Sequence, residues 1–267
     1  MSMADPWSDL RAHTAARLAL GRSGTSLPTE EVLRFGLAHA QARDAVQRPL
    51  DVAAIAAQLQ ARGVRTLQVA SAAVDRTTFL LRPDLGRRLA DSGRHALQGA
   101  LRDSRAIDGG TAPQPDPDLV LVLADGLSAP AIERNALPML AAIERLTPVD
   151  WRIGPIVIAT QARVALGDDI GQALGAALVA MLIGERPGLS SPDSLGIYLT
   201  WQPRVGRSDA ERNCISNVRP EGLGYEAAAH RFWWLCREAR QLRLSGVQLK
   251  DGSGSPVLPG HDQERIG

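Results

Sequence analysis

Few residues in this chain could do chemistry by themselves. Its two cysteines, Cys214 and Cys236, cannot build a disulfide framework and do not have metal-ligand spacing. The five histidines, His13, His39, His95, His230 and His261, form no HxxxH or HExxH pattern, and each reads as a surface or core-edge residue. Of 30 basic residues only Lys250 is a lysine, which excludes a buried Schiff-base or pyridoxal lysine and a P-loop ending in Gly-Lys-Ser/Thr. No GxSxG elbow is present, and no GxGxxG follows a strand. Gly21-Arg22-Ser23-Gly24 could hold a phosphate, but a Gly-rich link between helices accounts for it better.

Two stretches carry more. Gly184-Glu185-Arg186-Pro187-Gly188 directly follows the apolar run Leu178 to Ile183, at the carboxyl end of a strand, where open α/β sheets bind ligands. Its glycines and proline fix a tight turn that lets backbone approach a ligand closely and aims Glu185 outward; solvated turn residues are the competing account. Asn213-Cys214-Ile215-Ser216-Asn217 sets small polar groups around one thiol. No histidine or lysine adjoins Cys214 in sequence, so a packed or ligand-lining cysteine is favoured over a nucleophile.

The elements that must position these residues follow from periodicity. Residues Asp5 to about Gln60 read as helical: Trp7, Leu10, Thr14 and Leu18 recur at helical spacing, and Gly21, Gly24 and Pro28 end the pattern. Thr29 is an N-cap for a second helix with the apolar stripe Leu33, Leu37 and Ala40, and Asp51 caps a third through Ile55 and Leu59 to Gly63. A segment this short must pack on the rest of the chain or on a partner. From Arg65 the period changes. Strands are expected at Thr66 to Val69, Thr77 to Leu81, Leu119 to Leu123, Ile153 to Ile158, Leu178 to Ile183 and Ile197 to Trp201. Helices are expected over Asp84 to Gly99, from Ser128 to about Leu146, over Asp168 to Leu174, and from about Glu221 to Arg243. Gly109 to Pro117 reads as a loop. In the last helix Ala228, Phe232, Leu235, Ala239 and Leu242 form a stripe that Trp233 and Cys236 widen, enough to face both the sheet and a partner.

Alternation of strand and helix indicates an α/β fold: a small helical N-terminal domain over residues 1–62, a doubly wound, Rossmann-like α/β domain over 63–250, and a flexible tail over 251–267. At 267 residues with 45% hydrophobic and 22% charged residues the chain can build a core. A net charge of +1 gives no field that would draw it to nucleic acid or anionic lipid. No secretory signal is visible at Met1 to Asp9, and the longest apolar stretch, Ala173 to Ile183, is about half a membrane span, so a cytoplasmic protein is expected.

Five blocks then coincide with one family. Leu33-Arg34-Phe35, Arg82-Pro83-Asp84-Leu85-Gly86-Arg87-Arg88-Leu89, Asp125-Gly126-Leu127-Ser128, Gly184-Glu185-Arg186-Pro187-Gly188-Leu189 and Cys214-Ile215-Ser216-Asn217 occur in this order, so that the chain resembles the small (light) subunit of ethanolamine ammonia-lyase over roughly residues 6 to 250. The resemblance implies a lyase that uses adenosylcobalamin to convert ethanolamine to acetaldehyde and ammonia by radical chemistry. It implies a large (heavy) subunit as partner, in a hetero-oligomer with several copies of each, with a bacterial microcompartment as an alternative to free cytoplasm. It implies no catalytic residue in this chain, which agrees with the missing constellations, and no metal ligand: the D-x-H-x-x-G pattern that puts a histidine on cobalt is absent. The family's cobalamin contacts carry over onto Val164 in Ala162-Arg163-Val164, Glu185 in the Gly-Glu-Arg-Pro-Gly turn, and Cys214. The competing expectation is a scaffold or assembly subunit that packs on a partner without touching cofactor.

Overall fold

The computed structural model describes residues 7, 10, 13, 17–106 and 116–254. Among them six strands form one sheet in the order β1 (Thr66–Ala70), β3 (Ile156–Thr160), β2 (Leu119–Ala124), β4 (Leu178–Gly184), β5 (Leu195–Trp201), β6 (Arg212–Val218). The first four run parallel, whereas β5 lies antiparallel to β4 and β6 antiparallel to β5.

The apolar runs dictate the layers. Every residue of β2 and of β4 is buried, as strands covered on both faces must be. Leu119, Leu121 and Leu123 face a core that α2 (Val52–Ala61), α5 (Ala129–Arg145) and α7 (Tyr225–Leu242) complete. Val120, Val122 and Ala124 point the other way, toward α4 (Asp91–Ala106) and α6 (Leu166–Ala173). The chain is therefore α/β, with helices on both faces of a mixed sheet. Its order differs from the 3-2-1-4-5-6 of a Rossmann sheet, because β3 turns back to lie between β1 and β2 before β4 crosses to the far side.

The amino-terminal helices behave unequally. Asp51 caps α2 by accepting from Ala54 N–H at 2.9 Å, and Ile55 and Leu59 are buried in the main core. In contrast, α1 (Thr29–Gln47) starts at Thr29 itself, with Pro28 at the cap position and no side-chain cap bond. Its expected stripe is not buried in this chain: Leu33 and Leu37 are 68% and 61% exposed, and Ala45 is its one buried residue. The helix read over Asp5 to Leu18 and the loop Gly109 to Pro117 fall mostly outside the described residues, as does the tail beyond 254.

Local chemistry overrides propensity in two places. Thr77 to Leu81 is not a strand but lies in α3 (Arg76–Leu81), because Asp75 accepts from Thr78 N–H at 2.7 Å and the helical turn buries Phe79. Asp84 to Gly99 is not one helix: a 3-10 turn at Leu85–Arg87 ends in extended Arg88, and Leu89 bridges to Ser71 before α4 begins. The wide stripe of α7 is consumed inside the chain. Phe232, Trp233, Leu235 and Cys236 are buried, and Trp233 donates to the Ile143 carbonyl at 2.9 Å while meeting Trp151 edge to face at 5.2 Å.

Candidate functional site

A cleft opens where β2, β3 and β4 end. Two adjoining hollows of about 510 and 390 Å³ share Arg163, Val164 and Tyr198. Glu185 lines one and Cys214 the other, so the structure brings Val164, Glu185 and Cys214 to a single surface. Their sequence positions say nothing of this; the carboxyl edge of the parallel strands and the β5–β6 pair do.

The β3–α6 turn that carries Val164 is held from β2. Buried Asp125 accepts from Gln161 N–H at 2.8 Å, from Ala162 N–H at 3.0 Å, and from the Arg76 guanidinium at 3.0 Å. Gln161 pays for this grip with a left-handed φ of 54°. Burial pushes the Asp125 carboxyl up, against the pull of the backbone N–H groups and Arg76, and burial lowers Arg76 in turn. Arg163 N–H donates to the Gly86 carbonyl at 2.8 Å, which ties the Leu85–Arg87 turn to the same loop.

Two glycines allow the strand ends to close up. Gly126 has φ 54°, and a Cβ there would lie 2.3 Å from the Gly184 carbonyl oxygen, which accepts from Leu127 N–H at 2.9 Å. A Cβ on Gly184 would lie 2.1 Å from the Ser128 carbonyl. Ser128 caps α5 through Ala131 N–H and donates to the Pro192 carbonyl at 2.7 Å, so the helix start also fastens the loop that returns to β5.

Glu185 does not point outward from its turn, as the turn chemistry suggests. Its carboxylate lies across β5, accepting from Ser194 Oγ at 2.5 Å, from Ser216 Oγ at 2.5 Å and from Asn217 N–H at 3.3 Å on β6. Gly196 makes room: a Cβ there would be 2.9 Å from Glu185 Oε1, and the β5–β6 register slips at this point. The side chain is half-buried, and a carboxylate oxygen still has lone pairs for a further donor.

Cys214 pairs across the ladder with Tyr198. The residue is exposed as a whole, yet desolvation of its sulfur pushes the thiol up, with the neighbouring Tyr198 working against that shift. Burial likewise raises the Tyr198 phenol well above its ordinary value. The thiol therefore stays protonated and lines the cleft. Beneath it Arg212 grips Asp168 through two bonds of 2.6 and 2.7 Å, both side chains being buried.

Sequence reasoning missed Tyr198, Arg163 and Asp125 as site residues. Asp125 stood inside a quoted block, but only the fold shows that it reaches back to hold the Val164 loop. The β6 strand was missed too, because the polar residues around Cys214 leave it without an apolar run.

The donor set suits a ligand with many amide groups. Arg163, which lines both hollows, has its Nε buried without a partner among the described residues. Glu185 and backbone at the glycine-lined strand ends add further polar contacts around an apolar floor of Val164 and Ile183. These residues fit a cobalamin.

Residues 4–250 match the family model of the ethanolamine ammonia-lyase light chain (EutC). The chain is 56% identical over 248 residues to the ethanolamine ammonia-lyase small subunit of Pseudomonas fluorescens, covering 92% of this chain and 87% of the relative. It is 56% identical over 257 residues to that of Azotobacter vinelandii, 96% of this chain and 92% of the relative. The Xanthomonas campestris small subunit is 54% identical over 255 residues, 95% of this chain and 90% of the relative. The chain belongs to the ethanolamine ammonia-lyase light-chain family.

Proposed function

We propose that the chain is the small subunit of an adenosylcobalamin-dependent ethanolamine ammonia-lyase and supplies one wall of the cobalamin site at its interface with the large subunit. The observation that carries this reading is the convergence of Val164, Glu185 and Cys214 on one cleft. When bound, adenosylcobalamin supplies the radical chemistry that converts ethanolamine to acetaldehyde and ammonia. This chain binds and orients. Glu185 offers a carboxylate pre-set by Ser194 and Ser216 to accept from an amide, at little cost in ordering. Val164 offers apolar contact on a loop that Asp125 fixes. Cys214 and Tyr198 form a neutral rim that keeps water from the ligand's flank. We also place the protein in the cytoplasm, with a microcompartment as the alternative setting; no helix among the described residues is long and apolar enough to cross a membrane.

The experiment is reconstitution. The purified chain should release no ammonia from ethanolamine above a no-enzyme control, because its sequence carries no acid–base or nucleophile motif and no metal-ligand cluster occurs among the described residues. Adding the large subunit and adenosylcobalamin should start release. Turnover by this chain alone would overturn the division of labour.

A further inference from the structure

The cleft carries more positive charge than its carboxylates answer. Arg212 is ion-paired with Asp168 and with Asp209, and Arg76 with Asp125. Arg87 and Arg163 both line the larger hollow, and neither has an ion pair among the described residues. Two guanidiniums left unpaired on one hollow repel each other and cost stability unless something anionic joins them, whereas Arg186 lines the neighbouring hollow together with Glu185.

Their placement is built rather than incidental. The Arg163 guanidinium stacks on the Phe79 ring at 4.3 Å, and Arg76 covers the same ring at 4.7 Å. Arg163 Nη2 reaches the Phe79 carbonyl at 3.4 Å, while its Nε is buried with no partner. Gly86 is what lets this stack form: a Cβ there would stand 2.9 Å from Arg163 Cγ and from the Phe79 ring. The Gly86 carbonyl takes the Arg163 N–H, and the next residue is Arg87. One 3-10 turn and one loop thus hold two guanidiniums at the edge of the same hollow, around Pro83, Val164 and Ala165. Asp209 also lines this hollow, bonded to Arg212, and Glu185 lies in the neighbouring one.

We propose that Arg87 and Arg163 form a phosphate-recognition pair that takes the phosphodiester of the cobalamin nucleotide arm. This rests on the cofactor reading above. Planar guanidiniums suit a phosphate because each can give two parallel N–H bonds to its oxygens, which a lysine cannot. The pair sets the direction in which the nucleotide arm leaves the corrin, and so the way round the cofactor lies in the cleft. The two arginines are positioning residues and touch no reacting atom.

The test uses the complex of this chain with its large subunit and reads corrinoid affinity by equilibrium dialysis. Cobalamin, cobinamide phosphate and cobinamide are compared on the wild type, Arg163→Gln and Arg87→Gln. Arg87 is exposed and its replacement spares the Phe79 stack, which guards against a folding defect. Each variant should lose about tenfold in affinity for cobalamin and for cobinamide phosphate, the scale of one charge-assisted bond, and keep its affinity for cobinamide. Equal losses for all three corrinoids would overturn the pair as a phosphate site. So would unchanged corrinoid affinity with lost binding of inorganic phosphate, which would make the free ion the ligand. A wild-type complex that takes up no corrinoid would overturn the cofactor reading and this inference with it.

Discussion

Glu185 shows how a turn motif can locate a residue without fixing its orientation. Sequence places it at a strand end in a turn rich in glycine and proline that aims it outward, toward a ligand or into solvent. Instead Gly196 lets it cross β5 to Ser216, so the carboxylate is both a clamp on β6 and an acceptor at the cleft. Glu185→Ala in the assembled complex should therefore weaken cobalamin binding by about tenfold to a hundredfold, equivalent to roughly 1–3 kcal/mol. Spectroscopic titration with the cofactor checks this, and thermal melting of the same variant separates a loosened β5–β6 pair from a lost ligand contact. Cys214 gives a second prediction. Desolvation raises its pKa, so the fraction present as thiolate at a given pH is smaller than in a free cysteine peptide. Alkylation of Cys214 by iodoacetamide should be slower than that of the peptide at pH 8, and its rate profile should lie at higher pH. A profile displaced to lower pH would mean an activated thiol. Cys236, buried in α7, should react only after denaturation.

At the scale of elements, the strand ends are built on close backbone contact that only glycine permits. Gly126→Ala would need a left-handed alanine and would drive its Cβ into the Gly184 carbonyl. A loss on the order of 3 kcal/mol is expected, read as a fall in the denaturation midpoint. An unchanged midpoint would show that the β2 and β4 ends can separate freely. Much of this layer was legible beforehand. The unbroken apolar runs Leu119 to Leu123 and Leu178 to Ile183 announce strands buried on both faces, and Ser128 and Asp51 announce their helix starts. What was not legible depends on partners far along the chain. Thr77 and Thr78 favour a strand by propensity, and only the Asp75 cap with the burial of Phe79 makes them helical. The antiparallel β6 was hidden because its edge position leaves Cys214, Ser216 and Asn217 exposed, so it lacks an apolar run. The stripe of α1 is the opposite case: its pattern is apolar, yet this chain buries almost none of it.

At the scale of the whole molecule, a mixed sheet covered by helices on both faces carries the cleft at the carboxyl ends of its parallel strands. Val164 and Glu185 sit on loops braced by that sheet, an arrangement that suits the proposed role of completing a site shared with another chain. Binding to such a shared site is more than the sum of its halves, because each wall contributes contacts that the other cannot make. The decisive measurement is the affinity for adenosylcobalamin of this chain alone, of the large subunit alone and of their complex, under the same conditions. The complex should bind more tightly than either chain by at least about tenfold, the scale of one good polar contact withheld. A large subunit that binds the cofactor as tightly without this chain as with it would contradict the account.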